Sequence, residues 1–87
     1  MVSFPLGRIV ATPSIIEMLS NTEILNMIRR HSIGDWGELS QKDKKANDEA
    51  LLYGNRILSS YKTKTGKVWI ITESDRSATT ILFASEY

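Results

Sequence analysis

Residues 56–84 read RILSSYKTKTGKVWIITESDRSATTILFA, and the alternation of apolar and polar side chains in this stretch decides the fold. Arg56 to Thr63, Lys67 to Glu73 and Ala78 to Ala84 carry β-branched or aromatic residues at a period of two, as strands do. Lys64-Thr65-Gly66 and Ser74-Asp75-Arg76-Ser77 supply turn residues between them. The stretch predicts a three-stranded antiparallel meander. Turn length sets its register. A first loop centred on Thr65-Gly66 places Tyr61 opposite Ile70 and Lys62 opposite Trp69, and a second loop of Ser74 to Ser77 places Ile70 opposite Ile81 and Trp69 opposite Leu82. One face then holds Ile57, Tyr61, Val68, Ile70, Ile81 and Phe83, a core for helices to cover. The other holds Leu58, Trp69, Ile71 and Leu82, flanked by Lys62, Glu73 and Thr80. Such an apolar stripe needs a partner, self-association, or cover from the chain itself, by Lys62, the termini or a strongly curled sheet.

Upstream the period changes. Leu6 to Ala11 reads as a short strand that runs into Thr12-Pro13, a capping hydroxyl followed by the residue best suited to the first helical position. Ile15, Ile16 and Leu19 share a face of a short helix ending near Ser20-Asn21, and Thr22 offers the next cap. Ile24, Leu25 and Ile28 then lead to Arg29-Arg30-His31, cations suited to the negative end of a helix. Ser40 and Asp43 approximate a capping box before a third helix from Gln41 to Tyr53, closed by Gly54. Ala46, Ala50 and Tyr53 form its expected inner face, while Lys42, Lys44, Lys45, Asp48 and Glu49 stay in water. The predicted architecture is α+β, a single small domain over residues 1–87: an N-terminal short strand, three short helices, then the meander, with the helices packed on one sheet face. A meander of this kind can also pair edge to edge through its last strand, Ala78 to Ala84.

Composition narrows the chemistry. Eleven Lys and Arg balance ten Asp and Glu, which argues against a dedicated DNA binder and against an acidic DNA mimic. Without cysteine the chain has no disulfide, thiolate metal site or cysteine nucleophile. Its longest apolar runs, Val68-Trp69-Ile70-Ile71 and Ile81-Leu82-Phe83-Ala84, fall far short of the ~18 residues of a spanning helix. Met1 to Gly7 lacks the basic start and apolar run of a signal peptide. A cytoplasmic protein with no membrane partner is expected. His31 is the lone histidine, no HExxH or GxSxG pattern occurs, and Gly34-Asp35-Trp36-Gly37 is no phosphate loop. The expectation is a non-enzyme with no catalytic residue, metal or cofactor.

Asp35, Trp36, Trp69 and Arg76 are the candidate partner-binding residues, because Trp and Arg dominate binding energy at interfaces. Trp36 either plugs the gap between helix and sheet or stands out as an anchor. Arg76 either joins Glu73 and Asp75 in a solvated ion pair at the turn or serves recognition. An alternative reading takes nucleic acid as the partner, with Arg56, Lys62, Lys64 and Lys67 as cations and Tyr61 and Trp69 as stacking platforms. Residues 55–87 carry five cations against three anions, and a lysine-rich hairpin serves equally to protect an edge from aggregation.

Several segments together carry a family resemblance: Gly7-Arg8-Ile9-Val10-Ala11-Thr12-Pro13, Gly34-Asp35-Trp36-Gly37, Ala46-Asn47-Asp48-Glu49-Ala50, Arg56-Ile57-Leu58-Ser59, Val68-Trp69-Ile70-Ile71-Thr72-Glu73 and Arg76-Ser77-Ala78-Thr79-Thr80-Ile81-Leu82. Over almost its whole length the chain resembles a family of small bacterial proteins called plasmid-related proteins, some of them labelled as type I restriction endonuclease subunits. It departs from the family at Phe83-Ala84, where Leu-Pro is frequent. These 87 residues hold neither a methyltransferase nor a nuclease domain. What the resemblance implies is association with mobile genetic elements, as an accessory binder of a defence, replication or restriction component.

Overall fold

The computed structural model describes residues 4–87. In chain order the elements are β1 (Arg8–Ala11), α1 (Pro13–Met18), α2 (Asn21–Ser32), α3 (Gln41–Tyr53), β2 (Ile57–Lys62), β3 (Lys67–Thr72), β4 (Ala78–Phe83) and a closing 3-10 turn, Ala84–Glu86. The chain is α+β, and its sheet is four-stranded and mixed, in the order β1-β4-β3-β2. β2, β3 and β4 form the antiparallel meander, while β1 pairs parallel with β4, Ile9 opposite Thr79 and Ala11 opposite Ile81. The early strand therefore belongs to the same sheet, and the connection to its parallel partner β4 runs through the three helices and then β2 and β3. This corrects the three-stranded expectation, and it removes β4 from the edge: the last strand has a neighbour on each side and cannot pair with another copy.

The β3–β4 register is the predicted one, Ile70 opposite Ile81 and Trp69 opposite Leu82. Between β2 and β3 it is displaced by two residues, with Tyr61 opposite Val68 and Ser60 opposite Trp69. The cause is Thr63. Its N–H donates to Gly66 O at 3.0 Å, its hydroxyl donates to the same oxygen at 2.6 Å, and it accepts from Thr65 N at 3.2 Å. These bonds centre the turn on Lys64-Thr65 instead of Thr65-Gly66. A slip of two leaves every side chain on its predicted face, where a slip of one would have inverted them.

α1 and α2 cover the first face. Ile15, Leu19 and Met27 join Tyr61, Val68, Ile70, Ile81 and Phe83 in the main core, with Ala11, Ile24 and Ile28 packed against it. Thr12 caps α1, accepting from Ile15 N at 3.4 Å. α2 starts two residues earlier than a Thr22 cap would give, because Ser20 and Glu23 form a reciprocal capping box: Glu23 N donates to Ser20 Oγ at 3.1 Å and Ser20 N donates to Glu23 Oε1 at 3.0 Å. α3 has the predicted limits, from its Ser40 cap to Gly54 at φ 73. Its inner face differs from the expectation. Asn47 and Ala50 are buried, whereas Ala46 and Tyr53 are exposed, because α3 lies along the outer edge of β2 rather than over the sheet. The helices thus do not all share one face. A second cluster, Trp36, Ala50 and Ile57 with Phe4, Leu39 and Leu51, fills the joint.

The other face is partly covered by the chain's own last residues. Glu86 Oε1 accepts from Phe83 N at 2.8 Å and from the Thr12 hydroxyl at 3.0 Å, and the turn so fastened lays the Tyr87 ring 5.3 Å from that of Trp69. Ile71 is buried and Trp69 half-buried.

Candidate functional site

Along an antiparallel pair, the backbone groups of alternate residues point to the partner strand and away from it. On β2 the outward groups of Leu58 and Ser60 are both occupied. The Asn47 amide donates to Leu58 O at 2.6 Å and accepts from Leu58 N at 3.2 Å. Ser60 N donates to Trp36 O at 3.0 Å and Glu38 N donates to Ser60 O at 2.6 Å. The turn Gly34-Asp35-Trp36-Gly37 makes this approach, and Gly37 makes it sterically feasible: at φ +76, a Cβ there would lie 2.1 Å from Ser60 O.

This double attachment holds Leu39 and α3 beside the β2 edge and leaves a cleft of about 390 Å³ between them and the second sheet face. Asp43, Ala46 and Asn47 form one wall, Glu38 and Leu39 another, and Leu58, Ser60, Lys67 and Trp69 the floor. Its size falls within the range of ligand pockets. Ser60 is 2% exposed and its hydroxyl has no hydrogen-bond partner among the described residues. A buried hydroxyl left unpaired costs about 1–3 kcal/mol, so the cleft floor holds unsatisfied polar capacity beside apolar walls.

The four residues expected to form one contact surface are dispersed. Trp69 belongs to the cleft. Trp36 is 4% exposed and its indole N–H donates to Asp48 Oδ1 at 3.1 Å; its ring is the plug between helix and sheet, not an exposed anchor. Asp35 is bound to Arg30, whose Nε donates to Oδ2 at 2.7 Å, and that hydrogen bond holds the Asp35 carboxyl below its ordinary range. Arg76 forms neither the ion pair nor a free recognition head. Its Nη1 donates to Asn55 O at 2.7 Å and Glu73 O at 3.0 Å, and its Nη2 donates to Ala50 O at 3.0 Å, so the guanidinium closes the C-terminal end of α3 onto the second hairpin.

The residues proposed for nucleic acid divide as well. Tyr61 is 1% exposed beneath the Arg30 guanidinium, 4.5 Å from its centroid, and its hydroxyl donates to Asp35 O at 2.6 Å. Burial pushes its pKa up to about 12. It is no stacking platform. Lys62, Lys64 and Lys67 cluster at one hairpin end, while Arg56 stands at the far end of β2, roughly 20 Å away at strand rise, near Glu73 at 3.7 Å and the Tyr87 ring at 5.7 Å.

His31 was expected to serve as a cation at a helix end. It is instead fully buried, with Phe4 and Trp36 presented edge-on at 5.3 and 5.9 Å between ring centroids. Its Nδ1 lies 2.5 Å from Ser59 Oγ and its Nε2 2.8 Å from Thr72 Oγ1, which lies 2.8 Å from Thr79 Oγ1. The Thr79 hydroxyl donates to Leu6 O at 2.7 Å, and that carbonyl sets the direction of the chain. Thr79, having spent its proton, accepts from Thr72; Thr72 accepts from Nε2–H; Ser59 donates to Nδ1. Burial lowers the His31 pKa to about 4, so the ring is neutral at pH 7. Alternation places Ser59, Thr72 and Thr79 on the core face beside Ile57, Ile70 and Ile81, but nothing local shows that their hydroxyls meet His31, which is 28 and 41 positions from Ser59 and Thr72.

Among the described residues no group of three or more His, Cys, Asp or Glu could hold a metal ion, and no helix is long and apolar enough to cross a membrane. No protein-family model, curated protein or solved structure gives a significant match to the chain.

Proposed function

We propose that this chain is a non-enzymatic protein-interaction module that takes an apolar side chain of a protein partner in the cleft between α3 and the β2–β3 face. The observation that carries the reading is the cleft floor: half-buried Trp69 and Leu58 supply apolar contact, with the buried Ser60 hydroxyl, unpartnered among the described residues, beneath them. A small number of placed polar groups within an apolar hollow is how such sites orient a ligand, and a buried aromatic at the centre supplies most of the energy. Glu38, Asp43 and Lys67 at the rim add charges of both signs, which favour a mixed peptide over a polyanion. The nucleic-acid reading keeps Lys62, Lys64 and Lys67 but loses Tyr61. The resemblance suggests a component of a mobile genetic element as the partner.

Selection of a displayed random-peptide library on the whole protein tests this. Selected peptides are expected to share an apolar anchor, to quench Trp69 in a Trp36→Phe background, and to bind Trp69→Ala at least tenfold more weakly while the far-UV circular dichroism is retained. Peptides whose binding is indifferent to Trp69→Ala, or a selection that enriches nothing, refute it.

A further inference from the structure

We infer that two copies of this chain pair through β1, antiparallel about a two-fold axis at Val10, to give one continuous eight-stranded sheet. β1 is the edge of the sheet. Arg8 N donates to Ser77 O and Thr12 N to Ile81 O, so the even-numbered residues of β1 turn their backbone groups to β4 and those of Ile9 and Ala11 point away. Among the described residues nothing pairs with these outward groups. Ile9 and Val10 are 47% and 41% exposed, a combination of open ladder and apolar side chains that edge strands ordinarily avoid.

The occupant is specified by the strand's own symmetry. With Val10 at the axis, Ile9 stands opposite Ala11 of the second copy, and each such pair exchanges two backbone hydrogen bonds. Arg8 stands opposite Thr12. Among the described residues Arg8 has no ion-pair partner, and the Thr12 hydroxyl donates to the Glu86 carboxylate at 3.0 Å, so each Arg8 meets a carboxylate of the other copy, twice over by symmetry. Pairing stops at Pro13, which has no N–H, and at Gly7, whose φ of 65 leaves the strand. Assembly stops at two because the opposite edge, β2, is sealed by Asn47 and the Trp36–Glu38 segment, and a self-complementary contact of this kind closes on itself.

Light scattering on the whole chain, with amide hydrogen exchange, decides the matter. The expected mass is twice the 9.8 kDa of the chain, and the Ile9 and Ala11 amides are expected to exchange at least tenfold more slowly at high than at low protein concentration. Val10→Lys, which sets two cations against each other at the axis, and Ile9→Pro, which deletes an outward N–H without touching the β4 ladder, are expected to halve the mass with the circular dichroism unchanged. Arg8→Glu is expected to weaken the dimer and Arg8→Glu with Glu86→Arg to restore it. A monomeric wild type, an assembly larger than two, unprotected Ile9 and Ala11 amides, or a folded Val10→Lys variant that stays dimeric each overturns the inference. If Ile9→Pro fails to fold, the exchange of the unaltered chain and Val10→Lys still decide.

Discussion

Gly37 and Gly54 have nearly the same backbone angle, φ 76 and 73, and opposite surroundings. At Gly54 an added Cβ meets nothing within 4 Å, so Gly54→Ala is expected to cost only the left-handed conformation, about 1 kcal/mol. At Gly37 the same methyl would strike Ser60 O and the Tyr61 ring. Gly37→Ala is expected to break the bridge to β2 and cost at least ~2 kcal/mol more than its counterpart; urea unfolding of the two variants side by side measures the difference. His31 is the other residue whose effect follows from its neighbours. An unfolded histidine takes up a proton near 6.5 and this buried one near 4. Between those values the unfolded chain binds a proton that the native state does not. The contribution is therefore complete above pH 6.5, declines as pH falls, and is gone below about 4, a loss of about 3 kcal/mol. Urea midpoints across this range are expected to fall with pH for the wild type, and the dependence is expected to flatten in His31→Gln.

At the scale of elements, β2 is an edge strand made safe from outside the sheet. An amide side chain carries its donor and its acceptor on adjacent atoms, and Asn47 uses both, donating to Leu58 O and accepting from Leu58 N. Asn47→Asp keeps the acceptor and loses the donor, and Asn47→Leu loses both. Destabilisations of about 1–3 kcal/mol are expected, larger for the leucine, together with aggregation on storage from the reopened edge; thermal melts and light scattering at rest check both. The limits of α3 were readable from Ser40 and Gly54, and so was the alternation of the meander. The inner face of α3 was not: Asn47 reads as a solvated polar position until β2 is placed beside it. The Lys62–Lys67 hairpin register was likewise settled by Thr63, whose hydroxyl and backbone close the turn one position earlier than glycine placement suggests.

For the molecule as a whole, the second sheet face governs what a partner meets. Tyr87 lies against Trp69, so in a Trp36→Phe background Trp69 is expected to be partly protected from acrylamide, and Tyr87→Ala is expected to raise its quenching severalfold while leaving the thermal midpoint within a few degrees. The sequence by itself determined which residues alternate, where α1 starts, where α3 starts and stops, and which side chains share a sheet face, because these depend on neighbours a few positions away. Trp36 in the core, Arg76 on the end of α3, neutral His31 in a hydroxyl relay, and β1 at the edge in place of β4 were decided only by tertiary structure. Each depends on groups between 12 and 73 positions apart. A buried polar group is stable only where such distant partners meet it, and no local pattern records where they will be.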